Sequence, residues 1–172
     1  MRAMILGLLA IFFVTGCAAE ESEPENSAVP ALELTGRVVD EADLLSAELE
    51  EEFTQRLEAI EVQTQAQFVI VTTSGLGGQD IETYSRKLGN AWGVGDAERN
   101  DGLLLVVAPN ERKVRIEVGR GLETVVTNEE AAAIIQSAIL PEFSEGNFEA
   151  GVSNAIDNLE NELAVPELRK AA

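Results

Sequence analysis

Apolar residues recur along this chain with two periods, and each switch between them marks an element. Thr35–Asp40 (TGRVVD) reads as a short edge strand. Ser46 is a good N-cap, and Leu49, Phe53, Leu57 and Ile60 then recur at helical spacing through about Val62. Glu48, Glu50 and Glu51 lie at the positive end of that helix. Gln67–Thr73 is a compact β-branched run, as expected of a buried strand. Asp80 caps a second helix that carries Ile81, Tyr84, Leu88 and Trp92 on one core-facing stripe. Gly93–Gly102 is a polar loop, and Leu103–Ala108 is a second continuous apolar strand. Lys113–Val118 alternates strictly and forms a hairpin with it. Thr127-x-x-Glu130 is a capping box whose helix is expected to end at Pro141. Phe148, Val152, Ile156, Leu159 and Leu163 make the stripe of a last helix.

The two buried strands are joined through a helix, which predicts parallel pairing by a right-handed crossover. With the hairpin, the pattern predicts an α/β fold, a three-layer α/β/α sandwich with a small mixed sheet. The domain is expected over residues 33–165, with a tail at 166–172.

The N-terminus reads differently. Residues 1–16 place Arg2 before an apolar run from Met4 to Val14, a signal-peptide pattern too short to span a bilayer. The run ends Val14-Thr15-Gly16-Cys17, which resembles the bacterial lipobox, and Cys17 is the sole cysteine of the chain. That resemblance implies cleavage before Cys17 and acylation of the cysteine, which would anchor the protein to a membrane on the extracytoplasmic side of a bacterial cell envelope. Residues 17–32 then hold acidic, Pro- and Ser-containing sequence that cannot bury enough surface to order itself, and read as a tether.

Composition narrows the chemistry. The chain has 31 acidic and 12 basic residues, no histidine, and a formal net charge of −19. A His-based triad and His-ligated zinc or haem are therefore excluded, and an intramolecular disulfide with them. The charge argues against nucleic acid as a partner. Only oxygen ligands remain, which suit a hard divalent cation, Ca²⁺ ahead of Mg²⁺ or Mn²⁺. Asn100-Asp101-Gly102 stands just before a buried strand and Asp40 ends the first one, so Asp40, Asn100 and Asp101 are the candidate metal ligands, with Asp43 a weaker one. The same residues could equally be turn and cap chemistry. Asp96–Gly102 fails the EF-hand pattern, because glycine is seventh rather than sixth and Val107 stands where the bidentate Glu belongs. Gly119-x-Gly121 lacks the rest of a dinucleotide fingerprint and is expected to be a turn with positive φ. Arg112, Lys113, Arg115 and Arg120 form a basic cluster, read either as an anion site or as a solvated strand face.

Four stretches resemble the TPM domain: GRVVDEADLLS (36–46), NAWGVGDAERNDGLLLVVA (90–108), RKVRIEVGRGLE (112–123) and TNEEAAAIIQSAILPEFSEGNFEAGV (127–152). The resemblance implies an α/β/α sandwich on the non-cytoplasmic side of a membrane. Plant relatives are linked to photosystem II repair and proposed as acid phosphatases, a related bacterial domain is associated with divalent cations, and an animal relative is an auxiliary channel subunit. Asp40, Asn100 and Asp101 match positions that are polar across that pattern. Two functions follow as expectations. One is a lipid-anchored module that assists a membrane protein complex, with a divalent cation as in that bacterial relative as the further expectation. The other is a metal-dependent acid phosphatase using Asp40 and Asp101, for which the sequence offers no convincing nucleophile.

Overall fold

A computed structural model describes residues 32–164. The signal segment, Cys17, the tether up to residue 31 and the tail from 166 lie outside the described residues. Four strands and a set of helices follow the predicted order: β1 (Val38–Asp40), α1 (Ala47–Thr64), β2 (Gln67–Thr72), α2 (Ile81–Trp92), β3 (Gly102–Ala108), β4 (Lys113–Val118), α3 (Asn128–Ile134), a π-helical segment (Ile135–Ile139), α4 (Leu140–Ser144) and α5 (Phe148–Leu163). The sheet order is β1-β2-β3-β4, with the first three strands parallel and β4 antiparallel.

Period-two alternation divides the buried strands between two cores. Val38, Phe68, Ile70, Leu103, Leu105 and Val107 point to one face, where Phe53, Leu57 and Ile60 of α1 and Val152, Ile156 and Leu159 of α5 cover them. Val39, Val69, Val71, Leu104 and Val106 point to the other, covered by Ile81, Tyr84 and Leu88 of α2. The result is the expected three-layer sandwich. The steps from β1 to β2 and from β2 to β3 run the same way along the sheet, yet their helices lie on opposite faces. The two crossovers therefore have opposite hands, so right-handedness holds for only one of them.

Local chemistry sets the helix ends. Asp80 Oδ1 accepts from Thr83 N–H at 2.7 Å, and Thr127 with Glu130 closes a complete capping box. Ser46 occupies the N-cap position of α1 without a side-chain cap bond; its N–H instead donates to Glu149 Oε1 of α5 at 3.0 Å.

The capped helix does not stop at Pro141. Leu140 N–H reaches back five residues to the Ile135 carbonyl, so the chain has already left the α ladder. Pro141 then falls in the first turn of α4, where a missing N–H costs little. Asn154 of α5 donates to the Ala138 carbonyl at 3.2 Å and ties the segment down.

Candidate functional site

Asp40 is the last residue of β1 and lies in register with Thr72, the last residue of β2. The buried Thr72 hydroxyl donates to Asp40 Oδ1, and Leu45 N–H donates to Oδ2 at 2.8 Å. Asp43 follows in a left-handed turn at φ 53°, exposed to solvent, with its N–H on the Asp40 carbonyl. Beside Asp40, Glu41 accepts from the Ser74 N–H at 2.5 Å and from its hydroxyl at 2.7 Å. These bonds, led by the backbone N–H, hold the Glu41 carboxyl below its ordinary value. Glu111 reaches the same loop from the β3–β4 turn and accepts from Leu76 N–H at 3.0 Å. Tyr84 lies beneath: burial pushes its hydroxyl up, and the charges of Glu41 and Glu111 push the same way.

The opposite hands of the crossovers give this end its shape. After β1 the chain turns to the α1 face, and after β2 to the α2 face. Adjacent connections that part in this way are where open α/β sheets form a ligand crevice, which at this end would lie between the carboxyl ends of β1 and β2. Asp40 and Thr72 are the last residues of those strands, with Glu41 and Glu111 nearby. Glu41 and Glu111 escaped the sequence reading. Glu41 directly follows Asp40, and Glu111 sits in the hairpin turn that topology brings to the same end.

Asn100 and Asp101 are at the other end of the sheet. Gly102 opens β3 opposite Gln67, the first residue of β2, whereas Asp40 faces Thr72. Five residue steps along β2 separate the two levels, about 16 Å at roughly 3.3 Å per residue. The structure therefore does not bring Asp40 together with Asn100 and Asp101. Among the described residues, no three or more Asp, Glu, His or Cys side chains gather as a metal cage.

Asp101 ties the loop instead. It is 6% exposed. Its Oδ1 accepts from Asp96 N–H at 2.8 Å and its Oδ2 from Arg99 Nε at 2.5 Å. Asp96 Oδ1 in turn accepts from the N–H groups of Glu98 and Arg99. Asn100 adopts φ 52°, a conformation asparagine tolerates, and its carbonyl accepts from Gly121 N–H at 3.0 Å. Asp101→Ala is expected to destabilise the domain by about 1–3 kcal/mol, because it removes a charged acceptor from the part-buried Asp96 N–H and frees Arg99. A denaturant titration checks this, and hydrogen exchange should report faster opening at Asp96.

The loop also explains two glycines. A Cβ on Gly119 would lie inside 3.0 Å of the Asn100 carbonyl oxygen, and one on Gly121 inside 3.0 Å of that of Arg99. Neither glycine has positive φ, so the expected turn conformation is not what they supply. They allow backbone to touch backbone. Gly102 meets Val94 in the same way.

A cleft of about 520 Å³ runs beside this packed corner, between α2, β4 and the loop after β4; Arg86, Asn90, Asn100, Leu104, Arg120 and Glu123 are among its walls. The basic cluster is dispersed. Arg115 pairs with Glu117 at 3.1 Å, Arg112 and Lys113 lie at the hairpin end, and Arg120 lies at the cleft.

Comparison with known proteins places this geometry. The family model described as the TPM domain matches residues 38–162. The chain belongs to the TPM domain family. That span holds every strand and nearly all of α5. The N-terminal domain of a Porphyromonas gingivalis protein, solved by solution NMR, is 37% identical, with a TM-score of 0.70 over 75% of this chain and 82% of that one. The N-terminal domain of the cg2496 protein of Corynebacterium glutamicum is 19% identical, with a TM-score of 0.60 over 78% and 84%. The BA42 protein of Bizionia argentinensis is 22% identical, with a TM-score of 0.57 over 70% and 81%. The last two share the fold alone. No curated protein matches the chain.

Proposed function

We propose that this TPM domain is a non-catalytic accessory module, lipid-anchored through Cys17 at the extracytoplasmic face of a bacterial envelope, that holds one divalent cation at the Asp40 crevice and docks on a membrane protein complex. The observation that carries the reading is the divergence of the two connections above the carboxyl ends of β1 and β2, with Asp40 there and Glu41 and Glu111 nearby. Oxygen donors without histidine or a spare cysteine suit Ca²⁺. The exposed Glu48, Glu51, Glu52 and Glu58 of α1 offer a docking face to a basic partner. Among the described residues no helix is long and apolar enough to cross a membrane.

The phosphatase alternative is weakened by the same geometry. It needs Asp40 and Asp101 at one phosphoryl group, and they occupy opposite ends of the sheet.

Thermal melts of the full chain in detergent, with EDTA and then with Ca²⁺, Mg²⁺ or Mn²⁺, test the reading. Ca²⁺ should raise the midpoint, by about 2.7 kcal/mol of stability at a hundredfold excess over the dissociation constant. The increment should vanish in Asp40→Asn and survive in Asp101→Ala, whose baseline is lower. A Ca²⁺ increment that persists in Asp40→Asn, or none in the wild type, sinks the cation site. Turnover of a generic phosphomonoester that is lost in both variants would restore the enzymatic reading.

A further inference from the structure

We propose that the cleft between α2 and β4 is a binding site for a small oxyanion, a phosphate or carboxylate group, distinct from the Asp40 crevice at the far end of the sheet. Arg86 stands on α2 and Arg120 on the loop after β4, so two arginines line one cavity from different walls. Neither is in an ion pair among the described residues, whereas Arg37, Arg56, Arg99 and Arg115 all are. In a chain of net charge −19, two uncommitted arginines at one cleft are a local excess of the rare sign. Of the two carboxylates in the lining, Glu117 is already occupied by Arg115 and by the Ser85 hydroxyl at 3.1 Å. Glu123 alone is left to oppose them, so the cleft retains positive charge.

The walls are also preorganised. Gly119 and Gly121 are pinned by backbone bonds to Gly102 and Asn100, at 2.8 and 3.0 Å. The segment carrying Arg120 is therefore fixed before a ligand arrives, which lowers the ordering cost of binding. Guanidinium groups recognise carboxylate and phosphate in bidentate fashion. Asn90 and Asn100 are among the lining residues, and Leu104 of the α2-side core gives an apolar contact for the body of the molecule.

The test is an amide NMR titration of the isotope-labelled full chain in detergent, with inorganic phosphate in one arm and acetate in the other, at fixed ionic strength. Amides of 86–90 and 119–123 should shift saturably. Arg86→Gln and Arg120→Gln should each weaken the apparent affinity about tenfold, the loss of one charge-assisted contact. The double variant should abolish saturation, and Lys113→Gln, at the other end of β4, should leave it unchanged. Both arginines are exposed, so the fold should survive; Arg120→Lys retains the charge and should recover part of the affinity. Saturation by phosphate alone assigns a phosphorylated ligand, and saturation by acetate as well shows that a carboxylate suffices. Non-saturating shifts in both arms, or saturation that survives the double variant, overturn the proposal. Either result leaves the Asp40 reading untouched, because that site is probed by Ca²⁺ and Asp40→Asn.

Discussion

Gly121→Ala is expected to cost about 3 kcal/mol, the upper part of the range for forcing an atom into a packed site. In a domain of this size that lowers the melting midpoint by roughly 10 °C. One methyl group has this effect because of what it meets. The added Cβ falls inside 3.0 Å of the Arg99 carbonyl oxygen, and that oxygen belongs to backbone, not to a side chain that can rotate away. Relief would require moving either 119–122 or 95–101. Both are anchored: Gly121 N–H donates to Asn100, and Asp101 ties Asp96 and Arg99. Gly36→Ala is the control. Its Cβ would meet nothing nearer than the Val38 carbonyl at 3.9 Å, and it should stay within about 0.5 kcal/mol of wild type. Equal melting of the two variants would mean that the close approach is absent in solution.

Phe68→Ala should cost about 3–5 kcal/mol, as deletions of a buried aromatic ring do. Phe68 is wholly buried at the second position of β2, a central strand paired on both sides. Its ring lies in the larger core, the one shared with α1 and α5. The sheet backbone around it cannot collapse into the space, so most of the cavity persists. Against a typical total of 5–15 kcal/mol this is a large fraction, and guanidinium unfolding should show a clearly lower midpoint at unchanged slope. Phe68→Leu keeps most of the volume and should recover much of the loss. A small cost for Phe68→Ala would show that this core is plastic.

Periodicity sufficed for the elements because each depends on residues near one another in sequence. The strands at 67–73 and 103–108, the hairpin and the capping box at Thr127 are all local signals. The misreadings arose where distant segments decide. Pro141 reads as a helix stop, but the π-helical turn before it removes the conflict, and Asn154 from another helix supports that turn. Gly119 and Gly121 read as turn residues, yet what they accommodate is backbone some twenty residues away. The division of the candidate ligands was within reach of the sequence. Asp40 ends a strand and Asp101 precedes one parallel to it, so a parallel sheet must set them apart. What no local pattern announces is the opposite hand of the crossovers, which parts the connections at Asp40.

Trp92 Nε1 donates to the Leu32 carbonyl at 2.9 Å, and Leu32 packs against the α2-side core with Trp92 and Val94. The described chain thus joins its domain at the end of α2, on the level where β3 begins. That fixes a direction. A pull or a support applied through the N-terminus grips the sheet at its amino end, next to the arginine-lined cleft. The Asp40 end of the sheet, five residue steps further along β2, stays clear of that grip.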